Sequence, residues 1–179
     1  MKFILEAQVL NPYRSHRPLG FYNLIKGHSG TDILYHFEEL PSPVSGKVAN
    51  VTKQVEMGNC IYIEDTELGN IHVFAHMDSI HVKTGDHVTR GQILGITGNS
   101  GSKTTAAHLH YEVITFRKNA ASPYNALFSP VMTRSLNGYI GWNVDPIKYI
   151  RMLYTKYKLD KEGNAPVVPL PPERPLVHK

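Results

Sequence analysis

The residues with the most chemistry to offer are histidines, and their grouping matters more than their number. The chain holds ten, and three groups stand apart: His28 with Asp32 in GHSGTD, His76 in FAHM, and His108 with His110 in AAHLHYEV. In an extended strand, residues two apart project from the same face. His108 and His110 therefore point together, while Leu109, Tyr111 and Val113 point to the opposite, apolar face. An exposed strand face more usually carries Thr, Lys or Glu, so a chance pair of imidazoles is the weaker reading. His28 and Asp32, four apart, fall on one side of either a strand or a helix, and Gly30 between them permits close backbone approach. Imidazoles with one carboxylate make a donor set suited to zinc, which takes nitrogen and oxygen ligands tetrahedrally and keeps a position for water at catalytic sites. His76, alone between apolar residues, reads by itself as an ordinary packed or solvated side chain.

Such residues need a rigid support. Between about residues 43 and 116 the chain runs in short apolar or alternating stretches cut by glycines: 44–51, 60–64, 71–75, 93–97 and 108–115. Runs of about five residues with turn signals at this spacing predict a mainly β fold, an antiparallel sheet folded on itself as a small sandwich or open barrel. Within it, VKTGDHVTRGQILG over 82–95 predicts a tight connection between two short strands. Asp145 before Pro146 has the form of an N-cap followed by proline at the first helical position, and Ile147, Ile150, Tyr154 and Tyr157 recur at helical spacing. That predicts one amphipathic helix over 145–162. The last fourteen residues hold five prolines and read as an extended tail. The division is an N-terminal extension (1–20), a β domain (21–144), the helix (145–162) and a Pro-rich tail (163–179).

Composition narrows the classes further. With 179 residues, 41% hydrophobic and 19% charged, the chain is one folded domain with appendages rather than a disordered tail. A net charge of +4, rising toward +14 if all ten histidines are protonated, mildly favours an anionic partner but identifies none, and no nucleic-acid partner is expected. The lone Cys60, in a turn entering a strand, reads as a buried structural thiol. The start, MKFILEAQVLNPYRS, is broken by Glu6 and reads as no signal peptide, and no stretch reaches the ~18–20 apolar residues of a membrane span. GNSGSKT is not a phosphate loop, because Ser102 rather than glycine precedes Lys103. His16, His36, His72, His81, His87 and His178 lack partners at ligand spacing and are expected in solvated positions, while Tyr13, Tyr22, Tyr124 and Tyr139 are expected in ordinary packing.

HxxxD, a lone histidine after a strand, and HxH, enclosing GDxVxxGQxxGxxG and accompanied by SPVSGKV, together resemble the lysostaphin-type (LytM-like) zinc endopeptidases, which cut peptide bonds in bacterial peptidoglycan. The resemblance runs from about Gly27 to Val113, and VDPIKYI resembles the segment that closes the family's domain. It implies a small antiparallel β-barrel or sandwich with the metal in a groove. It makes His28, Asp32 and His110 the ligands of one zinc ion, with His76 and His108 unliganded catalytic residues sharing proton transfer and oxyanion stabilisation. Zinc-bound water would attack the scissile carbonyl, and activity would rise from about pH 5 toward neutrality. Two departures, Ala106-Ala107 in place of Gly-Pro and ILYHFEELPS after Asp32, bear on groove shape and specificity.

The implied partner is the peptide cross-link of peptidoglycan, with no stable membrane insertion. The implied site of action is the bacterial envelope or its exterior, reached as a phage-borne product, by release on lysis, or through an export segment not visible here. Two other readings stand beside it. One is a non-catalytic domain that binds peptidoglycan or activates another hydrolase. The other is a carrier domain, since VKTGDHVTRGQILG also resembles the hairpins of such folds; the HxxxD group speaks against it.

Overall fold

A computed structural model of the chain describes residues 3–15, 27–118, 131–136 and 139–156, with side chains over 3–15, 27–115 and 143–155. His16, Tyr22, Tyr124, Tyr157, His178 and the Pro-rich tail lie outside the described residues, as does the side chain of Tyr139.

A short 3-10 turn, Ile4–Glu6, precedes eleven strands: β1 Val9–Asn11, β2 Thr31–Ile33, β3 Glu39–Pro41, β4 Gly46–Gln54, β5 Gly58–Asp65, β6 Ile71–Ile80, β7 His87–Val88, β8 Ile93–Thr97, β9 Leu109–Lys118, β10 Val131–Leu136 and β11 Tyr139–Val144. One helix, α1 Pro146–Lys156, follows. All pairings are antiparallel, along the path β1-β2-β9-β6-β5-β4-β7, with β11 and its hairpin partner β10 beside β9, and β8 bridging β6 and β3. The path does not close among the described residues, so the mainly antiparallel β expectation holds in an open sheet. The connection over 82–95 does join two short strands, β7 and β8, but they pair with different neighbours rather than with each other.

The core lies on one face of the long strands. Leu109, Tyr111 and Val113 of β9 are fully buried with Phe74 of β6 and Ile61 and Ile63 of β5, and each such side chain contributes roughly 1.5–3 kcal/mol by leaving water. Helix α1 starts as its sequence dictates. Asp145 Oδ1 accepts the N–H groups of Ile147 at 3.0 Å and Lys148 at 3.1 Å, and Pro146 needs no hydrogen-bond partner at that position. The face it buries is Tyr149, Ile150 and Leu153, with Ile147 and Tyr154 half-buried at its margins. The buried stripe is thus rotated from the expected one.

His72 corrects a second expectation. It is fully buried, with Nε2 donating to Asp65 Oδ2 at 3.0 Å and Nδ1 meeting the Tyr111 hydroxyl at 2.6 Å. Strand alternation from Phe74 places it on the core face, where an imidazole persists only if both nitrogens find partners. His36, His81 and His87 are exposed as expected.

Candidate metal centre

Strand β9 lies between β2 and β6, and that placement assembles the site. Its His110 stands opposite Asp32 across β2 and opposite Ala75 across β6, next in sequence to His76. His108 enters the same face through the bridge to Gly98. His28 comes from the turn just before β2, where Gly30 allows the close approach its type suggested. A Cβ there would come within 2.9 Å of Glu112 Cγ and 3.0 Å of His110 Cε1.

His76 is the residue that strict alternation would misplace. Ala75 faces the site opposite His110, so the next residue of a regular strand would turn toward the core with His72 and Phe74. Opposite this stretch β5 runs from Asn59 to Ile61 while β6 runs from Met77 to Phe74, one residue longer, and His76 takes a left-handed φ of 61°. This bulge turns the imidazole back to the site face, with ring centroids 4.8 Å from His108 and 5.9 Å from His110. The glycine-rich turn GNSGSKT then finds its use. Its Ser100 carbonyl accepts from His76 Nδ1 at 2.8 Å, while Ser100 Oγ is held by Met77 O and the Asn59 N–H.

The donors converge. His28 Nε2, His110 Nδ1 and Asp32 Oδ1 form a triangle with sides of 3.1, 2.9 and 3.2 Å. Tetrahedral zinc with bonds of ~2.0–2.1 Å needs donor–donor edges of roughly 3.3 Å, so this set fits such an ion with little adjustment. All three are buried. His108 Nε2 lies 3.4 Å from the same Asp32 oxygen, and its Nδ1 donates to Ala106 O at 2.8 Å.

Electrostatics bind the cluster together. Burial alone would raise Asp32, but hydrogen bonds from His108, His110 and His28 outweigh it and hold the carboxyl far below the usual carboxylate range. Burial would lower His110, yet its bonds to Asp32 and Glu112 push it up to about 9. Burial, reinforced by the neighbouring His110 and His108, pushes His76 down to about 4 against the Ser100 carbonyl. Cys60 is buried and pushed up to about 12, a structural thiol.

All five residues singled out in the sequence, His28, Asp32, His76, His108 and His110, lie together here. Three others were missed. Glu112 accepts from His110 Nε2 at 3.0 Å, Asn11 of β1 donates to Asp32 Oδ2 at 3.1 Å, and Asn143 of β11 donates to Glu112 Oε2 at 3.1 Å. Continuing the two-residue period of HLHYEV would have found Glu112. Asn11 and Asn143 carry no local signal. Tyr13 is half-buried, its hydroxyl donating to Asn143 O at 2.7 Å.

The site's sheet face continues along β9. A depression of about 380 Å³ is lined by Asn50, Thr52, Gln54, Tyr62, Ile71 and Ile114, and Ile114 shares its β9 face with His110 and Glu112.

An antiparallel sheet presenting two histidines and a carboxylate to one point, beside two further imidazoles, defines a β protein built around a donor cluster that could hold a metal ion. Residues 26–123 match Peptidase family M23, and the chain belongs to that family. ShyB, a peptidoglycan DD-endopeptidase of Vibrio cholerae, is 35% identical over 108 residues, 58% of this chain and 24% of ShyB. Lysostaphin of Staphylococcus simulans is 35% identical over 116 residues, 59% of this chain and 22% of its own length. The solved catalytic domain of that protein matches with a TM-score of 0.59 over 81% of this chain and 92% of the domain, at 23% identity, a likeness of fold. A zinc-containing peptidase from Vibrio cholerae matches with a TM-score of 0.50 at 31% identity, over 59% of this chain and 32% of that one. The chain spans about a quarter of the length of these curated relatives.

Proposed function

We propose that the chain is a zinc-dependent endopeptidase that hydrolyses peptide bonds in the cross-links of bacterial peptidoglycan, with His28, Asp32 and His110 holding one zinc ion and His76 and His108 as catalytic residues. The observation that carries this is the donor triangle, with two more imidazoles against it, in a member of a peptidase family. When bound, zinc supplies a Lewis acid that polarises a carbonyl and brings a water to near-neutral acidity.

The chain's own residues do the rest. His76 and His108 each donate Nδ1–H to a backbone carbonyl, which leaves Nε2 of both to handle a proton at the site. One takes the proton of the attacking water at Nε2 and passes it to the leaving amine; the other, carrying at Nε2 a proton taken from solvent before the attack, donates a hydrogen bond to the oxyanion and keeps that proton. Burial of the cluster keeps bulk water from competing with these contacts. The amide and hydroxyl groups of Asn50, Gln54 and Tyr62 along the same face suit a peptide laid beyond the scissile bond. Action in the bacterial envelope or outside the cell is supported by relatives named as peptidoglycan endopeptidases, and no helix among the described residues is long and apolar enough to cross a membrane.

Metal analysis by mass spectrometry with digestion of cross-linked muropeptides tests the proposal. The expected result is about one zinc per chain and new amino termini in the digest. A chain with zinc that left every cross-link intact would be a binding or activating domain instead, and a chain without zinc would overturn the metal site.

A further inference from the structure

We propose that Glu112 is a positioning residue for the metal centre: it accepts the outer N–H of His110, fixes the tautomer that presents Nδ1 to the ion, and thereby sets zinc affinity. This inference rests on the metal-site reading above.

His110 differs from its neighbours in two respects. His28, His76 and His108 all turn Nδ1 outward, onto the carbonyl oxygens of Pro12, Ser100 and Ala106 at 3.3, 2.8 and 2.8 Å. His110 alone turns Nδ1 inward, with Nε2 outward. Its outer acceptor is also the only one of the four that carries a full charge, Glu112 Oε1 at 3.0 Å. A carboxylate can only accept here, so Glu112 holds a proton on Nε2, and once a metal displaces the proton that Nδ1 shares with Asp32 the Nδ1 lone pair faces the ion. An imidazole hydrogen-bonded to a carboxylate is the more basic ligand, and such partners typically govern metal affinity by 10–100-fold.

The carboxylate is itself built in. Glu112 is 8% exposed, and its only ion-pair partner among the described residues is His110. Ser29 Oγ donates to Oε1 at 2.5 Å, and Asn143 Nδ2 donates to Oε2 at 3.1 Å and to Ser29 O at 2.9 Å. Both oxygens are engaged by the scaffold, and the residue is buried, which separates Glu112 from the proton-transfer role given to His76 and His108. A buried carboxylate is costly unless something needs its charge. Asp32 and Glu112 together carry two negative charges, which match a divalent ion. Asn143 lies beyond the family-matched residues 26–123, so the β10–β11 hairpin supplies part of the clamp.

The test is zinc affinity by chelator competition on the full chain, with Glu112→Gln, Glu112→Ala and Asn143→Ala beside the wild type. Glu112→Gln, which keeps the shape and removes the charge, should weaken zinc 10–100-fold. Glu112→Ala should weaken it at least as much, and Asn143→Ala by a few-fold. By NMR, the zinc-loaded wild type should show an exchange-protected His110 Nε2–H. Glu112→Ala should lose that signal while the Nδ1–H signals of His76 and His108 remain. A purely structural role would lower the zinc-free melting temperature yet leave affinity per folded molecule unchanged, and a Glu112→Gln affinity within twofold of wild type would overturn the inference. If the wild type itself bound no zinc, the metal-site reading would fall instead.

Discussion

Two histidine–carboxylate clusters occupy opposite faces of β6 and β9, and comparing them shows what suits only one of them to hold a metal. On the core face, His72 is pinned between Asp65 and the Tyr111 hydroxyl, and Asp65 also accepts the N–H groups of Leu68 and Gly69 and the hydroxyl of Tyr149. Asn70 donates to that same hydroxyl at 2.6 Å. Each ring nitrogen and carboxylate oxygen of the pair meets another protein atom, so the cluster ties α1 to the sheet and presents nothing outward. On the other face, the outer atoms are tied back to Pro12, Ser100, Ala106, Glu112 and Asn11, and the inner ones converge. Proximity of histidine to carboxylate is common to both. What separates them is whether the scaffold satisfies the outer atoms and leaves the inner atoms for a ligand.

The sharpest way to break this comparison is to remove one carboxylate from each cluster. Asp32→Ala should abolish stoichiometric zinc and activity together, because two histidines alone make a poor tetrahedral site. Asp65→Ala should leave zinc per folded molecule unchanged, yet cost about 3–5 kcal/mol by orphaning several buried donors at once. For a chain of this size that is a fall of roughly 6–20 °C in melting temperature. Metal analysis and thermal unfolding of the two proteins give the answer, and an Asp32→Ala protein that kept its zinc would erase the distinction.

Within the site face the next largest effect separates ligand from catalyst. His108→Ala should keep zinc while turnover drops by roughly 10²-fold or more, whereas His110→Ala should lose the metal itself. Equal metal loss in both would make His108 a ligand.

Much of this was legible in residue spacing, and the gaps have physical causes. The period of two in HLHYEV correctly divided β9 into a polar and an apolar face, because a paired central strand obeys alternation closely. The five runs between residues 44 and 115 correspond to β4, β5, β6, β8 and β9, and Asp145-Pro146 marked the start of α1. Short strands such as β1, β2 and β3, with three residues each, carry too little pattern to be seen. His72 was misread because a buried polar residue is explained by distant partners, Asp65 and Tyr111, not by its neighbours in sequence. Asn11 and Asn143 escaped for the same reason. The turn at the β6 bulge could not be read at all, since one extra residue in a strand leaves no compositional trace.

The clusters should also respond differently to pH. In the zinc-free chain, His110 sits at about 9, above its unfolded value, so its stabilising contribution is complete below about 6.5 and is lost as pH rises through about 9. Glu112 is held down to about 2, so its contribution is present above about 4.5 and is lost as pH falls toward 2. Zinc binding must displace the His110 Nδ1 proton, so apparent affinity should instead climb by about tenfold per pH unit from 6 to 8 and level off toward 9. Denaturation of the chelator-treated protein and zinc titration, each run from pH 5.5 to 9.5, should therefore trend in opposite directions. In the zinc-free chain burial pushes His76 down to about 4, so this imidazole is not the group expected to give the rise in activity between pH 5 and 8. The acid limb should shift with added zinc, and a limb indifferent to zinc would point back to a titrating base.

The smallest expected effect probes the bulge that brings His76 across from the core face. Its left-handed φ of 61° is a conformation that costs a side chain with a Cβ about 1–2 kcal/mol and costs glycine almost nothing. His76→Ala and His76→Gly remove the same imidazole and should lose turnover alike, so their difference in stability isolates the backbone. In a regular strand glycine would be the worse replacement, through its larger unfolded-state entropy. At this position the order should reverse, with His76→Gly more stable than His76→Ala by roughly 1 kcal/mol in denaturant unfolding. The matching pair at His72, on the unbulged part of the same strand, should keep the ordinary order, alanine above glycine. If alanine proved the more stable residue at both positions, the strain at His76 would be absent and its arrival at the site would need another explanation.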